Sequence, residues 1–495
     1  MGGPFHREFL RRVERIPVHG LGLSIDIHAP EFTSLLRSLR VRQVPPAYFE
    51  VFHTQPAALY LVRRQVEEGL LTYHGEGLWL TQPEMTGSWA ERQEVDDAIA
   101  QLQVLQSAWL NHECATKYLA GYSYGTYLPP LYTRSSAEVV AENTRQIQTL
   151  LDDRCRLLNG STPLLLLEMP PLTYFLAGTL PIPTFFQVVT ELAPCGLVLD
   201  IGHLWTVFRY SGAYRANSLA NFVQAFLEEF PLDRVVEIHV AGLAIHESQL
   251  AASSSLAGSV CDGALPAWTD AHAAPIPSVL FEMLDQILSH PRLTNLKGLA
   301  LEVDTKPEEL IVEEFAEFTR CYSTLLQSRN GGNSLSPEPE RTPIHEQAVS
   351  IADKQALEEA YDRYARALVG GAEPLGEEWC RGQSYFDEVD RYRRIYLPYE
   401  ILHWGGKVED MFPESSRRLK EIGVPLAEFV PFWFHKPQPL TGVYDFFLLK
   451  IERFVEFVRD VAPEVQDIAQ REAEELRQGY RIANAPLVST QGSEL

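Results

Sequence analysis

Thiolate chemistry is scarce in this chain of 495 residues. Its six Cys are scattered from Cys114 to Cys380 without a Cys-x-x-Cys pair. That spacing excludes a thiolate zinc site or a disulfide framework and fits a reducing cytoplasm. Basic residues are also short: 42 Lys and Arg face 66 Asp and Glu, for a net charge of -24. Phosphate binding needs clustered cations, so nucleic acid and anionic membrane surfaces are excluded as partners. No uninterrupted apolar run reaches the roughly 18 residues of a membrane helix, and the opening Met-Gly-Gly-Pro-Phe-His-Arg-Glu has no apolar targeting core. A cytoplasmic location is expected. Internal repeats and sustained heptads are missing too.

What is present is alternation. Short apolar runs at Gly20–Ile25, Tyr48–Phe52, Leu70–Tyr73, Ala108–Asn111, Pro163–Leu167, Gly196–Leu199, Val235–Val240 and Leu299–Val303 read as strands. Amphipathic segments between them, such as Ala57–Glu68, Glu91–Ser107, Ala137–Leu157 and Ser278–Leu288, read as helices. Eight such units predict an α/β architecture, a (β/α)8 TIM barrel over residues 1–327, with an open doubly wound sheet as the alternative. Residues 328–343, rich in Gly, Ser, Asn and Pro, predict a linker. A second, mainly helical domain is expected over 344–495.

The strand ends favour the barrel, because a barrel gathers its chemistry at the C-terminal ends of its strands. The residues met there are His28, His53, His74, His112, Glu168, Asp200 with His203, His239 and Glu302. Asp270 and His272 follow a long loop over 246–274 whose composition suggests a lid. A single His of this kind is as well explained by burial with a satisfied ring, and His28, His53 and His203 suit support roles as readily as ligation. Taken together, imidazoles and carboxylates without thiolates form the ligand set of iron, manganese or zinc, and mixed sites with open positions suit non-heme Fe(II). So many ligands exceed one ion's needs, which points to two or three metals with Glu168 as the natural bridge. A zinc cluster for phosphodiester hydrolysis is the chemical rival.

Several short motifs recur in a fixed order: Gly20-Leu-Gly-Leu-Ser-Ile-Asp-Ile-His28, Tyr73-His74-Gly75, Leu110-Asn-His112, Leu167-Glu168-Met-Pro170, Leu199-Asp200-Ile-Gly-His203, Glu237-Ile-His239-Val-Ala-Gly242, Asp270-Ala-His272 and Leu301-Glu302-Val-Asp304. Over residues 18–326 this order resembles the multinuclear non-heme iron-dependent oxidative enzymes, typified by the methanobactin-biosynthesis oxygenase. The resemblance implies a barrel with two or three irons in a mixed-valence state. It also implies dioxygen as co-substrate and oxidation of Cys or a neighbouring residue in a ribosomally made peptide. The expected metal ligands are His74, His112, Glu168, Asp200, His203, His239, Asp270, His272 and Glu302. Glu168, Asp200 and His239 are placed at the chemistry, with His28 and His53 behind them. The chain departs from the family pattern at Asn111, Met169 and Ala273. Alternatives stay open: a metal-dependent hydrolase or isomerase of the barrel type, or a non-catalytic metal-binding scaffold.

The helical segment is dense in aromatics between its two periodic stretches, Ile344–Leu368 and Phe446–Arg481. These read as a core or as a recruiting surface for a peptide leader or carrier. Trp404, Phe432, Trp433 and Phe434 are the candidate contacts, brought over the barrel mouth by the linker.

Overall fold

The computed structural model describes all residues except 1–2, 29, 55, 67–68, 84–91, 175, 247–264, 328–347, 371–383, 441–443 and 484–495. Its strands are β1 (Gly20–Ile25), β2 (Tyr48–Phe52), β3 (Leu70–Gly75), β4 (Trp109–Glu113), β5 (Thr116–Leu119), β6 (Tyr122–Leu128), β7 (Leu164–Glu168), β8 (Gly196–Asp200), β9 (Val235–Ala241), β10 (Leu243–Ile245), β11 (Trp268–Asp270) and β12 (Gly298–Glu302). Eight of them close a parallel barrel in the order β1-β12-β9-β8-β7-β4-β3-β2. The last strand pairs with the first from Gly20↔Gly298 to Ser24↔Glu302. That closure selects the barrel over the open sheet. β5 with β6 and β10 with β11 form antiparallel pairs on the rim.

The strands are apolar because both faces are covered, the outer by helices and the inner by the strands opposite. β7, Leu-Leu-Leu-Leu-Glu, is buried at every position. One end of the barrel is sealed by the helix Pro4–Val13, whose Phe9 and Val13 join Trp109, Leu164, Leu166 and Val236 in a dry floor. Each such side chain contributes about 1.5–3 kcal/mol by burial. Polar groups inside the barrel are thereby confined to its middle and its other end.

Several strands run a residue or two beyond their predicted ends. β4 reaches Glu113, β7 Glu168 and β8 Asp200, so polar residues expected just outside the sheet are its last rungs. Two features go beyond the sequence pattern. One is the β5–β6 hairpin. The other is the helix Ile201–Tyr210, which starts directly at Asp200 with the Asp200 carboxylate accepting from the His203 backbone N–H at 2.6 Å.

Beyond residue 348 the described residues are helical, and their core is shared with the barrel's inserts. Phe412, Phe429, Phe454 and Phe457 pack with Trp433, and the same cluster takes in Tyr122, Tyr124 and Leu128 of β6 and Tyr174. The Trp433 indole N–H donates to the Ser123 carbonyl at 2.8 Å, and the Gln438 N–H donates to the Gly121 carbonyl at 2.7 Å. β6 runs so close to the helix Leu397–His403 that a Cβ on Gly125 would lie 2.7 Å from the Glu400 carbonyl oxygen. Trp433 and Phe434 are therefore core residues and not open contacts, and Phe432 is half-buried against Phe457. Trp404 is half-buried as well. The periodic stretch 446–481 is two helices, Phe446–Val461 and Gln466–Ala483, parted at Pro463, which has no N–H to continue the first. The expected linker 328–343 lies outside the described residues, as does most of the expected lid.

Candidate metal centre

Alternate side chains of a strand face opposite ways, so parity decides what enters the barrel. In β4 the parity of Trp109 on the floor carries Asn111 and Glu113 inward. In β7 the inward positions are Leu164, Leu166 and Glu168. In β8 they are Val198 and Asp200, and in β12 Ala300 and Glu302. β9 breaks the rule once. Its register with β8 shifts between Leu197↔Val235 and Val198↔Glu237. The extra residue lets Val236 face the floor while Glu237 and His239 also face in.

These five strands thereby aim carboxylates and imidazoles at one another. Ligand-capable atoms of Glu168, Asp200, His239 and Glu302 all lie within 4.8 Å of each other. So do those of His203, Asp270 and His272, of Glu113, Glu168 and His203, and of His272, Glu302 and Asp304. His239 Nδ1 is 3.2 Å from Glu168 and 3.4 Å from Glu302. His74 Nε2 lies 3.2 Å from the other Glu168 oxygen, and Asn111 donates to that oxygen at 2.7 Å. Asp270 Oδ2 is shared by His203 and His272, each at 3.1 Å. The rings are held in place from behind: His203 Nδ1 donates to the Met169 carbonyl at 2.7 Å, leaving Nε2 for the cluster.

A deeper layer lies under His239. Its Nε2 is 3.2 Å from Glu50 and 3.7 Å from Glu237, and the Tyr48 hydroxyl donates to Glu237 at 2.6 Å. All of these side chains are buried.

Protons reflect the crowding. Burial and the neighbouring Asp270, Glu302 and Glu168 push Asp200 up to about 7 against the pull of His203. Burial and the Glu168 charge push Glu113 well up. Burial would raise Glu168 as well, but His239 and His74 hold it well below the usual carboxylate range. The imidazoles of His203, His239 and His272 are driven well up, the surrounding carboxylates outweighing burial, and His74 reaches about 10. The site asks for positive charge.

Whether a metal fits can be judged from atoms left without partners. Glu168 Oε1, Asp200 Oδ2, Asp270 Oδ1, Asp304 Oδ1, Glu113 Oε2 and both nitrogens of His239 are buried and make no hydrogen bond. Each buried, unsatisfied polar group costs about 1–3 kcal/mol, more when charged. Cations binding among oxygen and nitrogen donors would remove that cost, and the described groups include no thiolate. The residues fit.

Not every expected ligand is in the cluster. His112 has the outward parity of β4. Its Nε2 accepts from the Leu78 N–H at 3.1 Å and its Nδ1 donates to the Glu113 carbonyl at 2.8 Å, so neither nitrogen is free. His28 is exposed and sits 3.3 Å from the Thr54 hydroxyl. His53 is bound by the Tyr73 hydroxyl at 2.9 Å and lies near Gln101 at 3.2 Å. Conversely, Glu50, Glu113 and Asp304 join the clusters without having been expected as ligands. An acidic residue in the middle of the apolar Tyr-Phe-Glu-Val-Phe strand was the signal for Glu50. On β6, Tyr127 adds a phenol whose buried oxygen has no partner. Burial and the charges of Glu76, Glu113, Glu168 and Glu302 keep it protonated.

Residues 19–322, more than half of the chain, match the family of the RiPP precursor modification enzyme MbnB/TglH/ChrH, RiPPs being ribosomally synthesised and post-translationally modified peptides. The chain belongs to this family. Every grouped side chain from Glu50 to Asp304 lies inside the RiPP-precursor-modification stretch, and the helical region follows it. Among curated relatives, the chain is 29% identical over 135 residues to a UPF0276 protein of Paraburkholderia phytofirmans, covering 27% of this chain and 36% of that protein. It is 25% identical over 182 residues to a UPF0276 protein of Rhizobium meliloti, covering 37% and 47%. The chain thus spans less than half the length of either relative. In structure it is similar to endonuclease IV from Thermus thermophilus, with 17% identity, a TM-score of 0.35 and coverage of 62% and 99%. It is also similar to D-psicose 3-epimerase from Clostridium cellulolyticum, with 10% identity, a TM-score of 0.36 and coverage of 61% and 99%. Among the described residues no helix is long and apolar enough to cross a membrane.

Proposed function

We propose that this protein is a multinuclear non-heme iron enzyme that uses dioxygen to oxidise a ribosomally made peptide, at Cys or a residue beside it. One observation carries the reading. Buried carboxylate and imidazole atoms converge at the barrel rim without hydrogen-bond partners and without a thiolate among them. Membership of a RiPP-precursor-modification family supports a peptide as the substrate. Glu168, Asp200, His239 and Glu302 would hold one iron, and His203, Asp270 and His272 a second, with Glu168 as the bridge and His74 completing its far side. Iron bound there would supply one-electron redox steps and Lewis acidity.

The chain's own residues prepare that chemistry. His239 lies between two carboxylate layers, with Nε2 toward Glu50 and Nδ1 toward Glu168 and Glu302. Asn111 donates to Glu168 and limits how that carboxylate can turn. The Tyr127 phenol holds its proton on the inner face of the β5–β6 hairpin, where it can donate to a bound substrate atom.

Elemental analysis of aerobically purified protein should give about two or three irons per chain, as an oxygen- and nitrogen-rich donor set of this size requires. Dioxygen should be consumed when a short Cys-containing precursor peptide is added. Full activity restored by zinc alone, without dioxygen uptake, would overturn the proposal in favour of hydrolysis.

A further inference from the structure

The molecule is strongly acidic, yet one groove on it is not. Where the barrel meets the helical region, a groove of about 280 Å³ is lined by Arg209, Arg215 and Arg391, with Glu388 the one acidic side chain among its lining residues. Its walls are aromatic. The Arg209 guanidinium lies over Trp205, Tyr214 and Trp268, at 4.8, 5.4 and 5.5 Å from the ring centroids. Tyr210 and Tyr396, one from each region, both donate to the Trp268 carbonyl, at 2.6 and 3.3 Å. Glu388 bridges two of the cations, at 3.6 Å from Arg215 and 2.9 Å from Arg391. Among the described lining residues, the guanidinium groups of Arg215 and Arg391 share the single carboxylate of Glu388, on a chain of net charge -24.

The groove is joined to the metal cluster by a single strand. Trp268 on its wall and Asp270 in the cluster are the two ends of β11. Residues two apart on a strand share a face and stand about 7 Å apart. An extended peptide advances by about 3.3 Å per residue, so the span from Trp268 to Asp270 matches two or three residues of a bound chain.

From this charge, wall chemistry and continuity we infer that the groove binds an acidic segment of the peptide substrate. Its Asp or Glu carboxylates face Arg215 and Arg391, and an apolar residue lies against Trp268 and Tyr214. This rests on the peptide reading above and adds where, and by what chemistry, the peptide is gripped. Guanidinium forks match carboxylates in a planar, paired geometry, and aromatic walls hold the intervening chain. Glu388 occupies the place of a substrate carboxylate and is displaced by it.

The test uses the full-length protein and two fluorescein-labelled decapeptides that differ only in four Glu or four Gln around one Trp, read by anisotropy. The Glu peptide should bind tighter than the Gln peptide, the gap closing as salt is raised. Arg215 and Arg391 are partly exposed, so R215A/R391A should stay folded. That variant should weaken the Glu peptide by on the order of fivefold to tenfold while leaving the Gln peptide unchanged. E388Q should tighten the Glu peptide by about twofold to fivefold, a gain that loss of a structural ion pair would not produce. Equal binding of the two peptides, or unchanged affinity in R215A/R391A, overturns the groove assignment. Iron content and dioxygen uptake in the same samples report on the rim alone, so an iron-free protein that still discriminates the peptides would sink the oxidative reading and leave the groove standing.

Discussion

Two fully buried glutamates, one in each region of the molecule, are held in opposite states. Glu400, in the helical region, receives hydroxyl protons from Thr126 and from Tyr392, and burial pushes it up to about 8, so it is neutral at pH 7. Glu168, at the barrel rim, is ringed by His239 and His74 and is held ionised against its burial, with one oxygen bonded to nothing. Both are inaccessible to solvent. The difference is in the partners. A buried acid satisfied by hydroxyls is a piece of packing, whereas a buried acid facing imidazoles with an oxygen to spare is a place for a cation.

The strongest attack on this contrast is Glu168→Ala. It should strip more than one metal per chain, and activity should fall by more than the roughly 100-fold that separates an intact site from one missing an outer support. Metal analysis showing a single lost ion would count against the bridge. Glu50→Gln removes the charge behind His239 without emptying space. Metal affinity or activity should drop about 10- to 100-fold, measured by chelator competition, with little change in thermal midpoint.

Gly125→Ala probes the other region. Its Cβ must push against the Glu400 backbone, and a loss of about 1–3 kcal/mol is expected in denaturant titration, with metal content unchanged. Retained stability would mean that β6 can draw back from the helix. Glu400 itself gives a pH signature. Its folded value, about 8, lies above its ordinary value of 4.5. The stabilisation is therefore fully present below about 4.5 and is lost as pH rises through about 8. Wild type should weaken relative to Glu400→Gln across that window by up to a few kcal/mol. Parallel profiles would show that the Glu400 carboxyl is not protonated in the fold. The smallest effect on the metal should come from His112→Gln, which costs stability through two broken hydrogen bonds, about 1–3 kcal/mol, yet keeps metal to within error. Metal loss there would erase the distinction between bonded and unbonded histidines.

The barrel was legible because its strands are apolar runs of the right length at the right spacing. Much of the cluster was legible because Glu168, Asp200, Asp270 and Glu302 end strands, with His239 near the end of its own and His272 two residues beyond β11. His112 misled because residue type was weighed without parity: Trp109 belongs to the floor, so Asn111 and Glu113 face in and His112 faces out. The same rule applied to β9 would have turned His239 outward. Only the bulge between Val235 and Glu237 rescues it, and no residue there announces one. The β5–β6 hairpin is not legible in the sequence because β6, though mostly buried under the helical region, is written in Tyr, Ser, Gly and Thr and not in aliphatic residues. From sequence Trp433 and Phe434 are open to a core and to a recruiting-surface reading, and the hairpin supplies what buries them.

The pairing of β12 with β1 also sets an order in time. A ribosome releases about 5–20 residues per second from the N-terminus onward, so His74 and Glu168 emerge well before Asp270, Glu302 and Asp304. Until β12 slots between β9 and β1, Glu168 and His239 stand in an open, wet sheet where their charges cost little. Closing the barrel is the step that dries them, and it is the step a cation assists most. The ion at hand when the last strand docks is favoured over one that arrives later, since affinity alone ranks copper and zinc above Fe(II) and availability has to decide between them. A chelator should accordingly strip metal from refolding chains far faster than from the closed protein.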